Sequence, residues 1–453
     1  MGISGLFDIS ARSLSIYQRA LNVTSHNIAN ANNEDYSRQR VIFETERPDI
    51  RADGEWGAGV KIDEISRVRN QMTDTQIRSY NSKFSNNSTR SDVLGQIETQ
   101  FSEPSELGLS SLMNSFFNSW SKLAVTPNSE QLRTDVIQAA QKVTTKIQSV
   151  YEGINQIDSD MQNELQEKVQ SMNTIVKELH SLNKQIMESK VSGQESNDLL
   201  DKRDKYIDEL SKLGNINVNL DDNGAAVISI GGVFALDGYN YNEFKTNYDS
   251  GGKAYITIKN DSTKLALNGG ELYALTDMIS NVVPGYKDKI DQMAQALMTS
   301  VNDLHSTGST LHDPPQTGIN FFSSYTSGRL EINSAVISDH KNIAISSNGQ
   351  SGNSDIALKI AGLSDNKTIN GKTIGEFYSE IVTGLGTEKQ LNDQAAESNQ
   401  LVLDQLQDTK ESVSGVSLDE EMTNILRFQR SYDAAAKMVN IADEMLQTLL
   451  NMV

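Results

Sequence analysis

The sequence predicts an α+β protein: an elongated helical bundle or coiled-coil rod formed by both chain ends, with β-rich domains inserted into it. Three observations lead there. Apolar residues recur every seven positions over residues 417–453, and a weaker repeat of the same period occupies the first 31 residues. Residues 129–192 keep apolar spacings of three and four, the pattern of an extended bundle helix. Residues 214–269 and 306–389 are rich in Gly, Asn and Ser around short apolar runs, as turns and strands are.

Length and composition narrow the class. The 453 residues suggest roughly two to four domains. A hydrophobic share of 37% favours a thin core in a long molecule over one large globule. A net charge of −20 argues against nucleic acid, which recruits clustered Lys and Arg, and against an anionic membrane surface. The absence of cysteine excludes disulfides, thiolate metal sites and cysteine nucleophiles. Residues 1–11 lack a basic segment followed by an apolar run, so they do not read as a secretory signal peptide. No apolar run approaches the ~18 residues of a membrane span, so no membrane insertion is expected.

Taken in order, residues 1–31 form the first helix, with Phe7, Leu14, Leu21 and Ile28 seven apart and a mixed companion row of Ile3, Ser10, Tyr17, Thr24 and Ala31. The Asn-rich run that follows ends it, because Asn side chains compete for backbone groups. Residues 41–46 suit a short strand, and Pro48, Gly54, Gly57 and Gly59 suit a loop or hairpin. Residues 66–101 are helical but polar, broken by Pro104 and Gly108. Leu112, Met113, Phe116, Phe117, Trp120 and Leu123 then make the densest apolar cluster, a bundle core. The long helix from 129 ends at Gly193, and residues 196–213 form another in which Asp201 and Lys205 have ion-pair spacing.

Gly214 opens the first β insert, with Asn223-Gly224 as a hairpin turn and short strands at 217–220, 226–230, 255–258 and 264–267. Residues 271–304 return to helix, kinked at Pro284-Gly285. Residues 306–389 carry strand candidates at 330–332 and 342–346, and residues 391–408 are helical up to the break at Gly415. The expected domains are therefore a terminal coiled coil (1–45 and 415–453), a helical rod (46–213, 270–305 and 390–414) and two inserts (214–269 and 306–389).

The last helix opens at Ser417, which with Glu420 has the spacing of a capping box. One row of its seam is Leu418, Ile425, Tyr432, Val439, Leu446 and Val453; the other is Glu421, Phe428, Ala435, Ala442 and Leu449, where only Glu421 breaks the pattern. Such a seam needs a partner elsewhere in the chain or on another molecule. Two readings stand on periodicity alone: ordinary amphipathic helices on a globular core, or two ends that meet and offer a seam to neighbouring subunits. Helices with an unpaired seam are marginal in water, so the ends are expected to be largely disordered before assembly. Charge at Ile425, Phe428, Tyr432, Ala435, Val439 or Ala442 is expected to block polymerisation without unfolding the rest.

Chemical motifs are weak. His26, His180, His305, His312 and His340 are scattered, with no helical zinc spacing. Asn370-Gly371-Lys372-Thr373 resembles the end of a phosphate-binding loop but has Asn366 where Gly is needed, so a turn is the better reading. Asp221-Asp222-Asn223-Gly224 lacks calcium-loop spacing. No catalytic, cofactor-binding or metal constellation is expected, and the protein reads as no enzyme.

His26-Asn27-Ile28-Ala29-Asn30-Ala31-Asn32 resembles the motif that follows the first helix of bacterial flagellar axial proteins. Tyr36-Ser37-Arg38-Gln39-Arg40-Val41 is similar to the version in the hook-associated protein 1 family, although Asn33-Glu34-Asp35 stands where that family has Thr-Pro-Gly. Asn197-Asp198-Leu199-Leu200-Asp201-Lys202-Arg203-Asp204, Gly269-Gly270-Glu271-Leu272, Gly318-Ile319-Asn320-Phe321-Phe322 and the segment from Phe428 to Lys437 resemble further family motifs. The resemblance spans the chain, and its shortness relative to many members implies a reduced or absent outer β domain. It implies a structural adaptor that polymerises at the hook tip and joins hook to filament. It further implies export by the flagellar type III route to an extracellular flagellum. The implied partners are other copies of the chain, hook protein, the second hook–filament junction protein and a cytoplasmic export chaperone at the C-terminal helix. The alternatives are another flagellar axial protein or a secreted adhesin using the β-rich region. A hydrolase with a site in 306–389 lacks its constellation.

Overall fold

The computed structural model describes residues 3–51, 54–192, 196–221, 224–350 and 352–451. Gly193, Asn223 and Val453, expected as a helix stop, a turn residue and a seam residue, lie outside them.

The chain opens with α1 (Ile3–Ala29), followed by β1 (Gln39–Thr45), β2 (Asp49–Arg51), β3 (Gly54–Trp56) and β4 (Val60–Arg67). β1 and β4 pair antiparallel from Gln39↔Arg67 to Thr45↔Val60, with a bulge at Ile42/Phe43, and β2 and β3 pair as the hairpin beyond them. Then come α2 (Gln71–Phe101), α3 (Leu109–Val125), α4 (Glu130–Val191) and α5 (Asn197–Leu213). At 62 residues, α4 is about 93 Å long, given a rise of 1.5 Å per residue. Its buried positions run from Val136 to Ile186 at spacings of three and four, as the sequence predicts.

The first insert holds a meander of β5 (Ile216–Leu220), β6 (Ala226–Ile230) and β7 (Val233–Asp237), and a hairpin of β8 (Phe244–Tyr248) and β9 (Ala254–Ile258). The return to helix, α6 (Gly270–Asp277), is cramped. Gly270 has φ +80°, and a Cβ there would sit 2.5 Å from the backbone of Leu213 and Gly214, so only glycine fits. A π-helical turn (Met278–Val282) joins α6 to α7 (Val283–His305). The expected kink at Pro284 is thus a wide turn just ahead of it, with Pro284 in the first turn of α7.

The second insert contains β10 (Phe322–Thr326) paired with β11 (Arg329–Ile332), then α8 (Ser334–Ser338) and α9 (Asp355–Ala361). Residues 342–346 are not a strand; they make a single bridge, Ser309↔Ser346, and residues 264–267 likewise reach only the bridge Thr257↔Lys264. Residues 264–267 still lie against β9, with the Leu265 N–H donating to the Ile256 carbonyl at 3.0 Å, but without the run of paired bonds that makes a strand. The largest departure is α10 (Ile374–Ser414), which begins well before the expected 391. Gly375, Gly384 and Gly386 lower its helix propensity in the sequence. A capping box of Thr373 and Glu376 and buried Phe377, Tyr378, Ile381 and Leu385 hold it helical nonetheless. Asn370-Gly371 is the turn leading into that cap, with φ of 49° and 77°.

The core runs the length of the rod, with α2 against α10 and α3 against α4. Its densest part is the edge-on cluster of Trp120 with Phe116 and Phe321, ring centroids 6.3 and 5.5 Å apart. The last helix, α11 (Leu418–Leu450), packs along α1. The end of α1 meets the start of α11, so the two run antiparallel. Each terminal helix has the other as an intrachain partner, so neither seam stands unpaired as the sequence suggested.

Candidate assembly interface at the chain ends

The inner face of the terminal pair is built from small and polar side chains. Ser10, Ala20, Thr24 and Asn27 of α1 are buried, as are Glu421, Phe428, Ala435 and Ala442 of α11. The Ser10 and Thr24 hydroxyls bond back to the carbonyls of Leu6 and Ala20, so they enter the seam satisfied. Phe428 fills the wider gap near the β1–β4 ribbon, where Phe43 lies between it and Tyr17 with ring centroids at 6.0 and 6.3 Å.

The larger apolar residues lie outside that seam. Leu418, Met422 and Leu426 are 53%, 60% and 55% exposed. Met438, Ile441, Met445, Leu446, Leu449 and Leu450 continue the exposed apolar surface along α11, and Phe7 is exposed on α1. Ile425, Tyr432 and Val439, with Leu14, Leu21 and Ile28, are half-buried at the edges. The seam residues read from the sequence therefore divide. Phe428, Ala435 and Ala442 close the intrachain pair, whereas Leu418, Leu446, Leu449 and Phe7 face solvent.

Asn27 is the hub of the family-type motif. Its Nδ2 donates to the Gln39 carbonyl at 2.9 Å and to Glu421 Oε2 at 3.1 Å. Its Oδ1 accepts from the Gln39 N–H at 2.9 Å and the Tyr36 hydroxyl at 2.7 Å. Burial, then the charges of Asp198, Asp201 and Glu421, push the Tyr36 pKa up, so its hydroxyl stays a donor. Ala29 is exposed, and Asn30 Nδ2 donates to the His26 carbonyl at the helix end. The backbone N–H of Arg38 donates to the Ser414 carbonyl at 2.9 Å, and its guanidinium contacts Glu420. Ser417 caps α11 by accepting from the Glu420 N–H.

The pair is joined to the rod by an ionic cluster on α5. Asp201 accepts from the Ser37 N–H (3.1 Å), the Ser37 hydroxyl (2.8 Å) and Arg67 (2.7 Å). Asp204 takes Arg67 at 2.8 Å and contacts Arg69, which also holds Asp74. Burial raises the Asp204 pKa, but Arg69, Arg203 and Arg67 outweigh it and hold the carboxyl below its ordinary range. Asp208, bonded to Arg78 at 2.6 Å, is pushed up because burial outweighs its cations. Lys205 does not pair with Asp201, as its spacing suggests, but reaches Asp35 at 2.6 Å.

Arg67, Arg69, Asp204 and the role of Glu421 escape a reading of the sequence. The available signal was the spacing of Asp198, Asp201, Asp204 and Asp208 along one helix face, beside two arginines leaving a strand. Among the described residues no group of three His or acidic side chains could hold a metal ion, and no helix is long and apolar enough to cross a membrane.

Comparison with known proteins agrees with this architecture. The family model described as flagellar hook-associated protein FlgK helical domain matches residues 94–322. That described as flagellar basal body rod FlgEFG protein C-terminal matches 411–452. Flagellar hook-associated protein 1 of Bacillus subtilis is 31% identical over 98% of this chain and 97% of its own. The Escherichia coli protein of that name is 22% identical over 99% and 100%, in an alignment of 546 positions that opens gaps against this shorter chain. The solved flagellar hook junction protein FlgK from Burkholderia pseudomallei shares the fold, with a TM-score of 0.64 at 13% identity over 75% of this chain and all of that one. With its α+β rod and paired terminal helices, the chain belongs to the flagellar hook-associated protein 1 family of bacterial flagellar axial proteins.

Proposed function

We propose that the protein is the structural adaptor that polymerises at the hook tip and joins hook to filament. The observation that carries this reading is the division of the terminal helices. Phe428 and small residues close the intrachain pair and leave Leu418, Met422 and Leu426 in water. Apolar rows of this extent on a folded protein mark an interaction surface. Side-by-side copies would bury them, forming an inner tube from the terminal pairs (1–45 and 415–453) with both inserts facing outward.

On this reading the chain leaves the cell by the flagellar type III route and contacts hook protein below and the second junction protein above. A cytoplasmic chaperone would cover α11 before export, because its exposed rows would otherwise aggregate. The function is mechanical and not catalytic.

Electron microscopy of purified hooks incubated with the protein tests it. The full chain should cap hooks and support filament growth. A chain lacking residues 417–453 should keep its rod folded and fail to cap. Capping by the truncated chain would sink the proposal.

A further inference from the structure

We infer that Asn27 and Glu421 are the register key of the terminal helix pair, and that this key sets the composite surface offered to a neighbouring copy. The second half rests on the assembly reading above; the first does not.

Beyond Phe428, the part of the seam made of small residues is poorly specified along its axis. Ala435 and Ala442 recur at seven residues, facing a helix whose buried positions include Ser10, Ala20 and Thr24. Seven residues of helix advance about 10 Å. A slide by that distance sets small side chains against small side chains again over that stretch, so packing there separates the registers weakly and leaves Phe428, seated beside Phe43, as the apolar contact that resists it.

Glu421 separates them strongly. Its residue is 3% exposed and Asn27 is 1% exposed, and the contact between them joins positions 394 apart in the chain. The Glu421 carboxylate sits in the first turn of α11, where the helix N-terminus favours negative charge. Its side-chain donor is the Asn27 amide. One heptad back on α1 stands Ala20, which has no side-chain donor; one heptad on, α1 has already ended at Ala29 and offers no helical partner. The slide towards Ala20 strands a buried carboxylate, the costliest defect a helix seam can hold, and the opposite slide carries Glu421 past the end of α1 and away from its donor. A single buried polar residue fixing register is a known use of such groups in coiled coils.

Asn27 cannot follow a sliding partner. Its two N–H groups and two acceptor sites are all engaged, three of the four bonds being to the Gln39 backbone and the Tyr36 hydroxyl. The paired bonds to Gln39 fix the orientation of the amide and tie it to the exit of α1 into β1. The key therefore aligns α11 with the rest of the molecule. It also sets where Leu418, Met422 and Leu426 stand relative to Phe7 and Leu14 on the outward surface.

The chain has no cysteine, so spin labels can be placed without background. Labels at Asn22→Cys and Asp443→Cys, both exposed, report the stagger of the pair by pulsed dipolar spectroscopy on the full-length protein. The otherwise native chain should give one narrow distance. Glu421→Gln, which retains an acceptor for Asn27, should keep it. Glu421→Leu should keep its helix content but add a population displaced by about 10 Å, and its capping of hooks should fall at least tenfold. An unchanged narrow distance in Glu421→Leu overturns the inference whatever happens at hooks. So does a broad distance in the native chain, a displacement in Glu421→Gln, or loss of helix in Glu421→Leu, which would make Glu421 a holder of the pair and not of its register. A displaced register with undiminished capping overturns the link to the outward surface. Failure of the native chain to cap hooks counts against the adaptor function alone, since the distance is read without hooks.

Discussion

His305 accepts a hydrogen bond from the backbone N–H of Ala344 on its Nε2 at 2.9 Å, 39 residues along the chain. The Nδ1 side of the ring donates to the Ile319 carbonyl at 2.7 Å. Both bonds require the neutral Nδ1–H tautomer, and the ring is wedged against Trp120 and Phe321. The last residue of α7 thereby pins two separate loops of the second insert to the rod.

Acid should release this pin. Burial pushes the His305 pKa down to about 4, with the nearby Arg133 charge in the same direction. An unfolded chain protonates its His near 6.5. A depressed folded pKa contributes stability that is complete above about 6.5 and is lost as pH falls towards 4. By pH 5 the loss from this residue is roughly 2 kcal/mol. The urea midpoint of the native chain should fall between pH 7 and pH 5 by more than that of His305→Asn, which lacks the titration. Parallel declines in the two proteins would exclude His305 as the source.

Arg133 should tolerate no replacement, lysine included. Its guanidinium is fully buried with no carboxylate partner among the described residues, donating to the carbonyls of Ile343 at 2.6 Å and Pro127 at 3.1 Å. The planar fork reaches both at once, which an ammonium does not. Arg133→Lys should destabilise by about 2 kcal/mol, and Arg133→Met by about 3 kcal/mol through stranded carbonyls. Chemical denaturation measures both; a lysine variant of native stability would show that charge alone suffices.

Asp201 should govern the joint between terminal pair and rod. Removing it leaves the Ser37 N–H and one side of Arg67 unpaired in a buried setting. Asp201→Ala should cost about 3 kcal/mol or more, and Asp201→Asn less, because its amide oxygen still accepts. The loss is local. Limited trypsin digestion should open cleavage after Arg38 or Arg40 in the alanine variant while the rod, with its separate core, resists. Equal protection of that segment in both proteins would place the joint elsewhere.

The rod was legible in the sequence because its burial repeats. Val136, Val143, Ile147, Ile154 and Met161 all face one way, and period alone shows it. Ser417 and Gly415 likewise marked the last helix before any partner was known. What could not be read was non-local. Glu421 looked like a flaw in a seam because its donor, Asn27, is supplied by the opposite end of the chain. Asp204 could be read only as part of a charged helix, because Arg67, at the end of β4, and Arg69, just beyond it, lie far upstream. The start of α10 was hidden by three glycines whose low propensity is overridden by Phe377 and Tyr378 in the core. Each miss is a place where tertiary contact decides against the local signal.

Charge should act differently on the two faces of α11. Phe428, Ala435 and Ala442 are buried against α1, so Ala435→Glu places an unpaired carboxylate inside the pair. It should unfold both terminal helices, visible as lost helix signal and lost protection of α1. Met422 and Leu426 are exposed, so Met422→Glu or Leu426→Glu should change the stability of the isolated chain by no more than about 0.5 kcal/mol. If those rows are the contact between copies, the same outward substitutions should abolish capping of hooks despite native folding. This separates interface from seam, which a loss of assembly alone cannot do. Native stability with native capping in the Leu426→Glu chain would remove that row from the interface, and an Ala435→Glu chain that stays helical would show that the pair is not closed by these residues.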